Sequence, residues 1–251
     1  MELKDILLNR DEGAAALLGE AMVWLIGHPA ALDERALTET LQALRETRPA
    51  MAGFSVLADL IEEGVELGAE PVELLQRIHR KYGTTDERQA RVFAELLKDE
   101  PFTSVATLSW STAVSYCLAE LADQIPSARV LESNPGGEGK RMVETLRRKM
   151  EIVTLYPDEE IERVAEGAHF GVIGADTVFA DGAVLNKVLS RRLAELLKEN
   201  GKPFYVLASK WKLSSETSAD FTPHPSDVGV FEIVSPDLIT GIVTEDGLLD
   251  G

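Results

Sequence analysis

The sequence predicts an α/β protein, with an N-terminal helical domain over residues 1–100 and a Rossmann-like parallel-sheet domain over residues 101–251. Two changes in texture carry this reading. Up to about residue 100 the apolar side chains recur at helical spacing, and nothing alternates with period two for long. From about residue 102, short apolar runs alternate with amphipathic stretches, the signature of strand–helix–strand crossovers and a parallel sheet. The 251-residue length suits one large domain or two small ones. A chain of this size can bury about 70% of its unfolded surface without a disulfide or metal staple.

The elements follow in order. Leu37, Leu41 and Leu44 share a helix face, as do Val56, Leu57, Leu60 and Ile61, then Leu74, Leu75 and Ile78, then Val92, Phe93, Leu96 and Leu97. His28-Pro29, Arg48-Pro49, Gly68, Pro71, Gly83-Thr84 and Pro101 separate them, giving five or six short helices. Asp33 suits an N-cap and Pro49 the first turn of a helix. Strands are expected at Ser104–Leu108, Arg129–Leu131, Ile152–Leu155, Phe170–Ile173 and Pro203–Leu207, with Val230–Val234 as a sixth. Helices are expected at 111–122, 138–149, 158–166 and 184–199.

Composition narrows the function. Acidic residues outnumber basic ones 43 to 25, for a net charge of −18, so direct nucleic-acid binding is disfavoured. One cysteine excludes an intrachain disulfide and a thiolate zinc cluster, and the four histidines show no metal spacing. Cys117 lies within an apolar helix and reads as a small buried residue. The first residues lack a signal-peptide pattern, and the longest apolar stretch is too short for a bilayer. The expectation is a cytoplasmic protein with no membrane partner, no metal and no cofactor.

Open parallel sheets bind ligands beyond the carboxyl ends of their strands. There the loop Asn134–Arg141 carries Gly136, Gly137 and Gly139, then Lys140 and Arg141, a composition suited to phosphate. It matches neither a Walker loop nor G-x-G-x-x-G, and a plain strand-to-helix turn with two solvated bases would look the same. Asp176, after an apolar strand, suits a general base or an orienter of a sugar hydroxyl, or else a turn aspartate. Asn186 and Lys187 suit a polar ligand at the start of the next helix, or a solvated helix start, and Lys210 follows the fifth strand. Ser109 and Ser111 lack the context of a serine-hydrolase nucleophile.

Taken together, several ordered motifs resemble one family. Gly174-Ala175-Asp176, Asp181-Gly182, Asn186-Lys187 and Pro203-Phe204-Tyr205-Val206 resemble its G-A-D…N-G…N-K…P-F-Y-V core. Glu132-Ser133-Asn134-Pro135 with Gly139-Lys140-Arg141 resembles its E-[ST]-R-P-x-x-x-G-x-R segment, and Arg48-Pro49-Ala50 its R-P-T helix start. The segment from Ser235-Pro236 to Ile239-Thr240-Gly241-Ile242-Val243-Thr244-Glu245 resembles its closing P-x-x-I-T-G-I-I-T-E. The family unites the alpha, beta and delta subunits of translation initiation factor 2B with isomerases of methylthioribose 1-phosphate and ribose 1,5-bisphosphate. The resemblance implies a phosphorylated sugar or nucleotide ligand and a homodimer formed through the α/β domain.

The departures bear on function. Ser109 stands where the resembling isomerases carry a catalytic cysteine, whereas their partner aspartate is kept as Asp176. Asn134 replaces a phosphate-binding arginine, and Glu12 precedes Gly13-Ala14 where the family reads R-G-A. Two readings result, beside a bland one in which the pocket is vestigial. One is a regulatory, initiation factor 2B subunit-like protein that keeps the ligand pocket and meets initiation factor 2 subunits. The other is an aldose–ketose isomerase using Asp176 with Ser109, Glu132 or a bound water as the second group, and with phosphate held by Lys140, Arg141, Lys187 and Lys210.

Overall fold

A computed structural model describes residues 2–9, 12–225 and 227–249; the terminal positions of the two predicted domains lie outside these. Among the described residues six α-helices precede the first strand: α1 (Leu3–Leu8), α2 (Ala14–Gly27), α3 (Leu37–Thr47), α4 (Ala52–Glu66), α5 (Pro71–Tyr82) and α6 (Thr85–Leu97). The punctuation acts as its chemistry dictates. Pro71 opens α5, where no amide hydrogen is required, and the Glu70 carboxylate accepts from Glu73 N at 2.8 Å. Two local expectations shift. Asp33 caps a turn, accepting from Ala36 N at 2.9 Å, and α3 begins only at Leu37. Pro49 lies in the turn before α4 instead of in its first turn.

The helices α1–α5 share a core built on Leu17, Met22, Leu44, Phe54, Leu57 and Ile61. Helix α6 packs elsewhere: its Ala90, Phe93 and Leu97 join the core beneath the sheet. The predicted boundary near 99–102 falls between α6 and the first strand.

The α/β half runs β1 (Ser104–Leu108), α7 (Thr112–Glu120), β2 (Ser127–Leu131), α8 (Gly139–Leu146), β3 (Ile152–Tyr156), α9 (Ile161–Gly167) and β4 (Phe170–Gly174). Then come β5 (Thr177–Val178), β6 (Val184–Lys187), α10 (Ser190–Glu199), β7 (Phe204–Leu207), β8 (Phe231–Val234), β9 (Gly241–Thr244) and β10 (Gly247–Leu248). One seven-stranded sheet has the order β10-β9-β7-β4-β1-β2-β3, parallel except for β10. Helices α6, α7 and α8 cover one face, and α9 and α10 the other. The α/β expectation therefore holds, as a mostly parallel mixed sheet beside the helices.

Two expectations fail within this half. The stretch 184–199 is not one helix. Val184–Lys187 forms β6, Leu189 takes a left-handed backbone (φ 77°), and α10 starts at Ser190. Val184 and Leu185 fit the helical period of α10, but β5 and β8 flank them and supply ladder partners on both sides. The run at Val230–Val234 is a strand outside the parallel sheet: β8 pairs antiparallel with β6 in a separate three-stranded sheet.

Phe93 is fully buried and meets Phe170 and Tyr205 edge-on, with ring centroids 6.2 and 5.7 Å away. Phe93→Ala is expected to cost about 3–5 kcal/mol, read as a lower urea midpoint at unchanged slope.

Candidate functional site

Strand order places the site. The chain moves outward from β1 to β2 and β3, then returns to lay β4 on the other side of β1. The loops leaving β1 and β4 therefore diverge, and such a switch point opens a crevice at the strand ends. Ser109 follows β1 and Asp176 follows β4. Gly174 permits this closeness, because a Cβ there would lie 2.5 Å from Ser111 Oγ.

The strand-end loops are locked to one another. Ser109 (φ 59°) and Ser133 (φ 66°) are both left-handed. Ser109 N donates to Ser133 Oγ at 2.6 Å. Ser133 N and Asn134 N each donate to the Asp158 carboxylate at 2.7 Å, and Asn134 Nδ2 adds a third bond at 3.1 Å. Gly139 must be glycine, since a Cβ would sit 2.0 Å from Leu131 O.

Two adjoining cavities result, sharing Gly13, Ala14, Trp110, Asp176 and Asn186. The outer one, about 340 Å³, is lined by Glu12, Arg48, Ser109, Gly136, Glu138, Arg141, Lys187 and Asp227, among others. The inner one, about 250 Å³, adds Asp86, Gln89, Thr112 and Lys212.

The predicted residues divide accordingly. Ser109, Gly136, Arg141, Asp176, Asn186 and Lys187 are brought together around the two cavities. Asn186 and Lys187 do so from β6, not from a helix start; Asn186 Nδ2 donates to Ser190 Oγ at 2.9 Å. Asn134, Gly137, Gly139 and Lys140 lie outside the cavity walls. Asn134 is held by Asp158, and Lys140 forms an ion pair with Glu132, whose carboxyl that contact lowers. Lys210 also faces away, ion-paired to Asp246 at 2.7 Å, while its amide donates to Glu245 at 3.0 Å. Cys117 is buried, and burial pushes its thiol up, as expected of a structural cysteine.

Several lining residues were not anticipated. Lys212 takes the place expected for Lys210, and Arg48 and Glu12 supply charge from the helical half. Arg48 Nη1 donates to Asn9 O at 2.7 Å. Trp211 explains Lys212: the tryptophan inserts into the helical core, edge-on to Tyr82 at 5.5 Å, so its neighbour is carried beneath the cavity floor. The signal in the sequence was the lone bulky aromatic between two lysines.

Electrostatically the site is nearly self-compensated. Arg141 meets Glu12 at 2.8 Å and stacks over Trp110, 4.4 Å from its ring centre. Lys187 Nζ, buried, donates to Glu138 Oε1 at 2.8 Å and Pro135 O at 2.5 Å. Burial pushes the Asp176 carboxyl up, opposed by Lys212, Arg48 and Lys187. Lys212, which donates to Ala175 O, is pushed down by the same burial and drawn up by Asp176 and Asp86.

A helix-plus-sheet chain with paired ionic groups around a crevice at a sheet switch point defines a class of α/β protein. More specifically, residues 27–228 match the initiation factor 2 subunit family, and the chain belongs to it, alongside the methylthioribose 1-phosphate and ribose 1,5-bisphosphate isomerases. It is 29% identical to a ribose 1,5-bisphosphate isomerase of Haloterrigena turkmenica, over 100% of this chain and 79% of that protein. It is 27% identical to a translation initiation factor eIF-2B subunit 2-like protein of Pyrococcus abyssi, over 98% of this chain and 94% of that one. In fold it matches the solved eIF-2B structure of Pyrococcus horikoshii OT3 with a TM-score of 0.84 at 23% identity, covering 98% of this chain and 94% of that one. It also matches the 5-methylthioribose 1-phosphate isomerase of the same organism, with a TM-score of 0.72 at 19% identity, over 98% of this chain and 83% of that one. Among the described residues no helix is long and apolar enough to cross a membrane.

Burial raises the Asp86 carboxyl, with Lys212 opposing and Glu245 reinforcing. A carboxyl raised by folding costs stability above its folded pKa and nothing below its unfolded value of about 4. Asp86→Asn is thus expected to raise the urea midpoint at pH 7. The gain should shrink as pH falls through the raised pKa and vanish near pH 4, as denaturation series at stepped pH would show.

Proposed function

We propose that this chain is an initiation factor 2B subunit-like regulatory protein whose pocket binds a phosphorylated sugar or nucleotide without isomerising it. The observation that carries this reading is Ser109. Moving a proton between the first two carbons of an aldose needs an acid and a base on either side of them. Asp176 supplies one carboxyl at the switch point, but the end of β1 offers only an alcohol, far weaker as an acid than a thiol. The Ser109 backbone is left-handed, which sets how that alcohol is presented at the end of β1.

The ion pairs support the same reading. Arg141 and Lys187, the lining cations closest to the glycine loop, each hold an internal carboxylate. Phosphate binds by exchange, its oxygens replacing Glu12 and Glu138 at those cations. Such exchange links occupancy to loop position, which suits a sensor. Subunits of similar fold from C. thermophilum occur in a tetrameric eIF2B-beta2-delta2 complex. In this reading the chain likewise self-associates through its α/β half, works in the cytoplasm and meets initiation factor 2 subunits.

One observation favours the isomerase alternative: Asp176 faces both cavities with its carboxyl raised toward the range of a working acid–base group. Phosphorus NMR separates the two. With ribose 1,5-bisphosphate or methylthioribose 1-phosphate, the expected outcome is line broadening without a product. A ketose phosphate that disappears in Asp176→Asn would overturn the regulatory reading. Glu138→Gln, by releasing Lys187, is expected to tighten ribose 1,5-bisphosphate binding about tenfold, measured by calorimetry.

A further inference from the structure

We infer that α1 is a movable element, loosened when a phosphorylated ligand enters the outer cavity, and that Arg48 is the link between the two. This rests on the reading that phosphate binds there by exchange, and it names how occupancy is passed to the helical half.

Arg48 faces two ways. It lines the outer cavity, and its charge acts on Asp176. Yet its Nη1 donates to Leu7 O at 3.4 Å and to Asn9 O at 2.7 Å, the carbonyls at the C-terminal end of α1. The last carbonyls of a helix have no partner within it, and an arginine placed there satisfies them. Just before α2, Glu12 holds Arg141 at 2.8 Å. Among the described residues three cations line the outer cavity, and two of them, Arg48 and Arg141, thus hold the chain between α1 and α2.

The helix they hold is one that can move. Six residues are too few for a helix that stands alone, so α1 owes its order to packing and to these anchors. Leu3, Ile6 and Leu7 are buried in the helical core, but a cavity of about 430 Å³ runs along the helix between Leu3, Lys4 and Leu7 on one side and Trp24 and Ala43 on the other. A side chain facing a void forfeits the contacts it lacks there.

Phosphate competes for both anchors. A charge-assisted bond to an anion is roughly twice as strong as one to a neutral carbonyl. The guanidinium is a rigid planar fork, so aiming part of it at phosphate turns the rest away from Asn9 O. At Arg141, phosphate and Glu12 are like charges on one cation, and that ion pair, half exposed, yields at little cost.

The test is amide hydrogen exchange of the full chain with saturating ribose 1,5-bisphosphate, against sodium chloride at equal ionic strength to match screening. A ligand ordinarily slows exchange around its site. Here the α1 amides are expected to exchange about tenfold faster, the worth of one charge-assisted hydrogen bond. Arg48→Ala should speed them similarly with no ligand present and abolish the response to it. Coupling is reciprocal, so Leu7→Ala, which loosens α1 from outside the outer cavity, should tighten ribose 1,5-bisphosphate binding about threefold by calorimetry. Circular dichroism checks that both variants fold. Unchanged or slower α1 exchange with the ligand bound overturns the proposal, as does unchanged exchange in Arg48→Ala or unimproved affinity in Leu7→Ala. Calorimetry that finds no binding to the unmodified chain sinks the phosphate reading instead, and Arg48→Ala then decides the link to α1 alone.

Discussion

The pocket exists because the helical half and the sheet half are held at one fixed spacing, and a single buried hydroxyl sets much of it. Thr177 Oγ1 donates to Ala50 O at 3.0 Å and accepts from Ala52 N at 3.2 Å. It thereby ties the start of α4 to the residue after Asp176. A buried hydroxyl in this position satisfies one orphan donor at a helix start and one loop carbonyl. From the other side, Trp211 enters the helical core, edge-on to Tyr82. Between these two stitches the α2 start at Gly13-Ala14 is laid over the strand ends, and the cavities form beneath it.

The same geometry explains why charges are paired rather than displayed. A cation half enclosed between two layers loses hydration and must recover it from a partner. Lys187 recovers it from Glu138 and Pro135 O, and Arg141 from Glu12 and the face of Trp110. Asp158 plays the complementary part, offering its carboxylate to backbone amides that an anion would otherwise take. The glycine loop is thus a phosphate site by composition and an internally satisfied turn by structure.

How much of this was legible in the sequence depended on whether local or distant contacts decide the element. Five of the six parallel strands were readable because each is an isolated apolar run between breakers, as at Ser104–Leu108 and Phe170–Gly174, whereas β9 was not expected. β6 was not, because Val184 and Leu185 continue the apolar face of α10, and only ladders to β5 and β8 make them a strand. Asp176, Asn186 and Lys187 were found since strand ends and ordered motifs mark them. Gln89 and Asp86 were invisible, since α6 looks like one more amphipathic helix until its packing against β9 turns that face toward the crevice. Lys210 was chosen over Lys212 because a sequence does not tell which lysine of a pair follows the tryptophan inward.

Charge is balanced on three length scales. The whole chain, at −18, slows the approach of polyanions and favours small ligands of low net charge. The outer cavity balances Arg141 and Lys187 against Glu12 and Glu138. The inner cavity sets Asp86 and Asp176 against Lys212, while Arg48 and Lys187 act on Asp176 from the outer one. Ser109 at the end of β1 and the ion pairs of Arg141 and Lys187 therefore belong to one arrangement, in which the strand-end loops are satisfied within the chain itself.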